Sequence, residues 1–368
     1  MRSLGHAAVT LLSLLPGIGS GCLGATIVGS EARTAGTAFA LRSGVIVDVR
    51  RAAVYLMDPR GGIDAVDLSS GTLLWTATQA AKPLWVSGHL LIAQAESGSR
   101  HSGLRIAILD TRQGSVVQET TVNLPEHVRA SVNDGLGTSF EAVAHEDDGE
   151  VVISWRFSRR TITGVAPGPE TLPEAPEARG AVRLKPETGG VEPMPTDALL
   201  AAGSPGSTTG SEPSRPVGRF QVSTERTREG TEECVVLMRT DRESGKAVPD
   251  VTLFCGRVTV EQDSADGAHL LVSRRVEDAA SAEEQYAWSI YALETGRRVA
   301  EIRHYASTAP FFVSNSVLVH EARPYDHVLD GKWIEEPLRL RAINVETGAV
   351  IWSRPLRDTT YHRPYPPS

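Results

Sequence analysis

Three cysteines, Cys22, Cys234 and Cys255, are the residues of this 368-residue chain whose chemistry depends most on where they lie. A thiolate can ligate a metal, attack an electrophile or pair with a second cysteine, and spacing decides among these. No Cys-x-x-Cys occurs. The ten histidines offer neither His-Glu-x-x-His nor a closely spaced pair, so no metal signature is present. The acidic run Glu146-Asp147-Asp148-Gly149 sits between the apolar stretches Phe140–Ala144 and Val151–Trp155 and reads as a hairpin turn. Asp263–Gly267 precedes the strand-like His269–Val272 in the same way. Neither run has a partner carboxylate that the sequence can place. A Gly-x-Ser-x-Gly elbow, a P-loop and a dinucleotide fingerprint are all missing from any supporting context. The sequence therefore assigns no catalytic, cofactor-binding or metal-ligating residue, and no cofactor is expected.

Cys234 precedes the Ser244-Gly245 turn by about as much as Cys255 follows it, so both fall near the open end of one hairpin. A cross-strand disulfide there would suit an oxidising compartment. A one-residue shift of register would instead place the two cysteines on opposite faces. Cys22 has a different setting. It follows Arg2, the apolar run Ala7–Leu15, Pro16 and the mostly small stretch Gly17–Gly21. A positive end, a short apolar run and small residues mark an export signal too short to span a bilayer. The small residues before the cysteine resemble the processing site of bacterial lipoproteins. That resemblance implies a signal over 1–21, lipidation of Cys22 and a linker over 22–36. The alternative is an ordinary signal peptide whose cysteine lies near the cut. No later stretch approaches eighteen uninterrupted apolar residues, so the expected membrane contact is the lipid anchor alone.

A formal charge of −8 and a pI near 5.7 argue against a nucleic-acid partner, which usually needs a basic stripe. The pairs Arg50–Arg51, Arg159–Arg160, Arg274–Arg275 and Arg297–Arg298 are scattered and read as solvated strand or turn positions. With 40% hydrophobic and 22% charged residues, the chain has apolar side chains enough for a substantial core.

The elements that would position any site come from an internal repeat. Ile63–Trp75 (IDAVDLSSGTLLW) and Leu340–Trp352 (LRAINVETGAVIW) share alternating apolar residues, a polar Asp67 or Asn344, a glycine four residues later (Gly71, Gly348) and a tryptophan four beyond that (Trp75, Trp352). Weaker copies occupy Arg105–Val117, Gly180–Glu192, Val236–Val248 and Ser289–Ala300, with pivots Gly114, Gly189, Gly245 and Gly296. Asp110 and Asp241 take the place of Asp67 in two of them. The copy at Gly296 reads as one turn residue short, because Leu293 leads directly into Glu294-Thr295-Gly296. Successive pivots are 43, 75, 56, 51 and 52 residues apart, close to the ~40–50 residues of one four-stranded propeller blade. The Asp or Asn can accept hydrogen bonds from turn amides, and the glycine tolerates the positive φ of a short return. Each tryptophan is expected to fill the wedge between blades.

This pattern resembles the quinoprotein-like β-propellers built from the pyrroloquinoline-quinone enzyme repeat. Two of the six copies keep the tryptophan, and the others carry Gln118, Pro193, Pro249 and Ala300. The resemblance implies an all-β propeller of four-stranded blades over 37–354. Six blades are expected, and seven or eight stay open if a degenerate blade lies in the 75-residue interval. Catalytic members of the family use a calcium ion, an acidic residue and, in alcohol dehydrogenases, a disulfide between adjacent cysteines. This chain has no adjacent cysteines and no calcium loop of the Asp-x-[Asp/Asn]-x-[Asp/Asn]-Gly kind, and no quinone ligand maps onto it. Other propellers of these repeats are lipoproteins that act as scaffolds in outer-membrane β-barrel assembly. A non-catalytic scaffold docking an envelope protein is therefore the expected function; a quinone- or sugar-binding enzyme or sensor using the central channel is the alternative. The Pro-rich stretches 163–179 and 201–216 read as surface insertions, and 355–368 as a mobile tail.

Overall fold

The computed structural model describes residues 38–95, 103–126, 128, 138–147, 149–159, 178–194, 215–277, 285–329 and 331–357. The expected signal over 1–21, Cys22 and the linker over 22–36 lie outside the described residues. So do 163–177 and 201–214 of the two insertions and 358–368 of the tail.

The described chain forms seven antiparallel sheets, of which six, of four or five strands each, are the blades of a β-propeller and one is a two-stranded hairpin. Blade 1 holds β1 (Ala38–Arg42), β2 (Val45–Asp48), β3 (Ala53–Met57), β4 (Ile63–Asp67) and β5 (Leu73–Ala77). Blade 2 holds β6 (Ala80–Ser87), β7 (Leu90–Ala95), β8 (Gly103–Asp110) and β9 (Val116–Asn123). Blade 3 runs β10 (Thr138–Asp147), β11 (Glu150–Arg159), β12 (Ala178–Lys185) and β13 (Gly190–Pro193). In blade 4 come β14 (Arg215–Val217), β15 (Phe220–Glu229), β16 (Glu232–Asp241) and β17 (Ala247–Cys255). Blade 5 has β18 (Val260–Asp263), β19 (His269–Arg275), β20 (Tyr286–Ala292) and β21 (Arg298–His304). Blade 6 starts with β22 (Phe311–Ser314) and β23 (Val317–Ala322). The separate hairpin of β24 (Tyr325–Leu329) and β25 (Lys332–Glu336) follows, and the blade resumes with β26 (Arg339–Asn344) and β27 (Val350–Pro355).

Several boundaries differ from the sequence reading. Ala178 and Arg179, assigned to an insertion, begin β12 because they pair with Phe157 and Arg156 of β11. Arg215 and Pro216 likewise belong to β14, and Pro355 closes β27 by pairing with Arg339. The 75-residue interval holds β9 to β12 and no additional sheet among the described residues. Blade 1 has five strands, since Ala53–Met57 and Ile63–Asp67 pair with each other as separate strands and β1 adds to the edge of β2.

The core is divided among the seams between blades. Alternation sends successive side chains to opposite faces of a strand, so each blade interior feeds two neighbours. In β26, Leu340 and Ala342 join the cluster shared with blade 1, while Ile343 joins the one shared with blade 5. Apolar clusters span blades 1 and 2, 2 and 3, 4 and 5, 5 and 6, and finally 6 and 1, where Val54, Leu56 and Val66 meet Phe312, Leu340 and Trp352. Strand β1 reinforces that last seam. Phe39 packs edge-to-face on Phe312 at 5.2 Å, and Arg42 forms a largely buried ion pair with Glu321 at 2.6 Å.

Candidate functional site

Each repeat pivot is a turn closed by the same backbone hydrogen bond, and four of the six add a side-chain acceptor. The Asp67 carboxylate accepts from the Ser69 and Ser70 amides at 3.1 and 2.8 Å, and the Gly71 amide donates to the Asp67 carbonyl at 2.8 Å. Asp110, Asp241 and Asn344 accept from the equivalent two amides of their own turns. These bonds to the ionised form hold the Asp67 carboxyl below the usual carboxylate range, with the serine hydroxyls contributing most. The pivots Gly71, Gly114, Gly189, Gly245, Gly296 and Gly348 all have φ between 64° and 70°. The turn at Gly296 is of full length, contrary to the sequence reading. Ala292 stands at the aspartate position, and the Gly296 amide reaches its carbonyl at 2.8 Å.

At three seams the residue four positions past a pivot covers the pivot glycine of the next blade; Pro193, at the same position, leaves Gly245 with nothing within 4 Å of an added Cβ. Trp75 lies on Gly114 and donates its indole N–H to the Thr111 carbonyl at 2.9 Å. Trp352 lies on Gly71 and donates to the Leu68 carbonyl at 2.9 Å, which joins the last blade to the first. Arg354 adds two hydrogen bonds to the Gly71 carbonyl. Gln118 reproduces the arrangement in polar form, covering Gly189 and donating to the Thr188 carbonyl at 2.7 Å. In blade 4 the residue over Gly296 is Val251 and not Pro249, because β17 carries register irregularities against β16.

At the seam between blades 5 and 6 the wedge is missing. Ala300 takes the tryptophan position, and a Cβ added to Gly348 would meet nothing within 4 Å. A cavity of about 350 Å³ opens there, lined by Gly348, Val350, Ile302, Ile343 and a polar group of His304, His320, Arg341 and Tyr305. The register explains the gathering. His320 and Arg341 are direct partners across β23 and β26, and they share the blade 6 face that carries Ile343 toward blade 5.

His304 and His320 meet across the seam, with Nε2 of the first 3.3 Å from Nδ1 of the second. Trp288 stacks on His304 at 4.0 Å between centroids, and Tyr305 stacks on it at 4.6 Å. Burial, followed by the neighbouring imidazole, pushes His304 down to about 3. Burial pushes His320 down to about 4, with Arg341 acting in the same direction. Both rings are therefore neutral near pH 7. Two proton arrangements are open to the pair, and they differ in how they meet the Glu321 carbonyl, 3.1 Å from His320 Nδ1, which only an N–H at that nitrogen can satisfy. When His304 Nδ1 accepts from the Ala306 amide at 3.0 Å, its Nε2–H donates to His320 and leaves His320 Nε2 as a donor. When Nδ1–H donates to the Ala306 carbonyl at 3.1 Å, the pair reverses and His320 Nε2 carries a lone pair. His320 is 1% exposed, and its Nε2 has no hydrogen-bond partner among the described residues. Arg341, half-buried beside it, makes no ion pair or hydrogen bond among the described residues. Sequence spacing could not reveal a pair 16 residues apart; the legible trace was an alanine at a tryptophan position opposite a retained glycine.

Cys234 and Cys255 are direct partners of β16 and β17 and form a disulfide. Glu229 approaches both sulfurs, but sulfurs bonded to each other offer no thiolate to a metal.

The strand order also sorts the connections by face. First-to-second and third-to-fourth strand turns share one face of the ring and are short. On the opposite face the hairpin β24–β25 connects the second and third strands of blade 6. On that hairpin Val328 and Trp333 are cross-strand partners, 60% and 77% exposed.

No family model matches the chain, and no curated protein matches it. Solved structures resemble it at low identity. The AtxE2 isopeptidase is 14% identical, covers 87% of this chain and 51% of its own, and superimposes with a TM-score of 0.40. The chain thus spans about half the length of that enzyme. The β-propeller domain of Cps50 (Swd1) from Myceliophteria thermophila is 12% identical over 84% of this chain and 85% of its own, with a TM-score of 0.25. A europium-containing methanol dehydrogenase is 14% identical over 83% and 67%, with a TM-score of 0.23.

Proposed function

We propose that this protein is an exported, non-catalytic propeller of the cell envelope, held to a membrane through lipidated Cys22, that docks a partner protein on the face carrying the β24–β25 hairpin. The observation that carries this reading is the Val328/Trp333 pair. A tryptophan 77% exposed on a two-stranded hairpin leaves a large apolar ring in water. Such rings anchor the centres of protein interfaces, where burial in a partner's pocket recovers the hydration cost. The Cys234–Cys255 disulfide supports export, because such bonds persist in oxidising compartments. The partner this chemistry fits is a protein with a concave apolar pocket able to take an indole.

The test is capture from solubilised envelopes of the source cell by the full chain carrying a photo-crosslinking side chain at position 333. One specific crosslinked protein is expected. Trp333→Ala should weaken its binding at least tenfold, on the order of 2 kcal/mol for an interface anchor, without moving the melting temperature. Equal binding by the variant would overturn the reading. Mass spectrometry of the mature N-terminus tests the anchor separately: a diacylated Cys22 is expected, and a free cysteine or a later start would rule it out.

A further inference from the structure

We propose that the cavity between blades 5 and 6 binds a small planar organic carboxylate, its ring in the slot over Gly348 and its carboxylate on Arg341 and His320. This site stands on observations separate from the docking hairpin and holds whether or not that hairpin has a partner.

The slot is defined by the other seams. At Gly71 and Gly114 a flat indole rests on the pivot glycine, so a pivot of this backbone conformation accepts a flat ring. Blade 6 keeps the glycine at 348, with φ 70°, while blade 5 supplies only Ala300. The resulting space of about 350 Å³ lies within the size range of small-molecule sites. Its apolar end is Ile302, Ile343 and Val350 beside Gly348.

The polar end calls for an anion. Arg341 is half-buried and has no ion-pair partner among the described residues, and Arg303 also lines the cavity. The single acid on the lining, Glu301, is already paired with Arg298 at 2.6 Å. A guanidinium offers parallel N–H donors that match the two oxygens of a carboxylate. His320 Nε2, buried and unpartnered, is a further donor in the proton arrangement where His304 Nε2–H donates to His320 Nδ1, and an anion at Nε2 favours that arrangement. One ligand would thus satisfy the buried imidazole, neutralise Arg341 and fill the missing wedge.

Calorimetric titration of the full chain with indole-3-acetate, against indole-3-acetamide as the neutral isostere, tests this. The acid is expected to bind and the amide to bind at least tenfold more weakly. Arg341→Gln should reduce acid binding at least tenfold while leaving the amide unchanged. Ala300→Trp refills the slot from within, so it should abolish binding while raising the melting temperature, which guards against a variant that merely fails to fold. Absence of binding by the acid, equal binding of acid and amide, or undiminished binding by Ala300→Trp would overturn the proposal.

Discussion

The seam between blades 6 and 1 and the seam between blades 5 and 6 are built on the same turn and differ at the repeat's tryptophan position. At the first, Trp352 covers Gly71 and hydrogen-bonds to Leu68. At the second, Ala300 leaves Gly348 uncovered, and a cavity with a buried imidazole pair takes the place of the wedge. A repeat position that is structural in one copy becomes free for a ligand in another. The change needs no new fold, only a small residue where a large ring stood.

The most severe way to break the comparison is Trp352→Ala. It removes a buried ring and a hydrogen bond at the ring's closure, and should cost about 3–5 kcal/mol in chemical denaturation. Loss of less than about 1 kcal/mol would mean that the seam is held elsewhere. Blade 4 supplies the next test. Among the described residues no apolar cluster joins it to blade 3, and its Cys234–Cys255 bond closes a loop over 21 residues. Reducing that bond should cost about 2–4 kcal/mol, read as a shift of the denaturation midpoint with and without dithiothreitol.

A finer test uses alanine at two pivots of nearly equal conformation. Gly71 has φ 67° and Gly348 has φ 70°, so both substitutions carry the same left-handed backbone penalty. At position 71 the added methyl also runs into the Trp352 ring, and at 348 it meets nothing within 4 Å. Gly71→Ala should therefore be worse than Gly348→Ala by about 1–3 kcal/mol, the usual range for overpacking. Equal losses would show that the slot over Gly348 is filled.

The smallest effect near neutral pH comes from the imidazole pair. His304 and His320 sit at about 3 and about 4 in the fold, against 6.5 when unfolded. Below pH 6.5 the unfolded chain takes up protons that the folded chain refuses, so stability falls as pH falls and levels off only below both folded values. The positive charges of Arg341 and Arg323 beside the pair act in the same direction as burial. His320→Gln should flatten the slope between pH 6.5 and 5; an unchanged slope would locate the titration elsewhere.

The ring was legible in the sequence because its turns are local. Asp67, Gly71 and Trp75 lie within nine residues, and the hydrogen bonds from Ser69, Ser70 and Gly71 to Asp67 that close the turn fall inside that window. The wedge role of the tryptophans was legible for the same reason, since a fixed spacing from the pivot fixes the direction of the side chain. Features that depend on two distant strands were hidden. The β24–β25 hairpin interrupts a blade whose strands were otherwise readable, and β1 is an added edge strand with no counterpart in the other copies. Val251 displaced Pro249 through irregular pairing, which no spacing rule anticipates. His304 and His320 belong to different blades, and only their packing face to face creates the pair.

The hydrogen bond from Trp352 to Leu68 joins residues 284 positions apart. Contacts over such separations form late, because the loop-closure entropy must be met before the contact returns anything. A chain emerging from its first residue onward can assemble five blades as an open arc, with Gly71 still exposed to water. Until the last blade arrives, Trp352 of another copy would present the same indole to that slot. The order of synthesis thus makes the newly made arc, and not the finished ring, the form most open to exchange between copies.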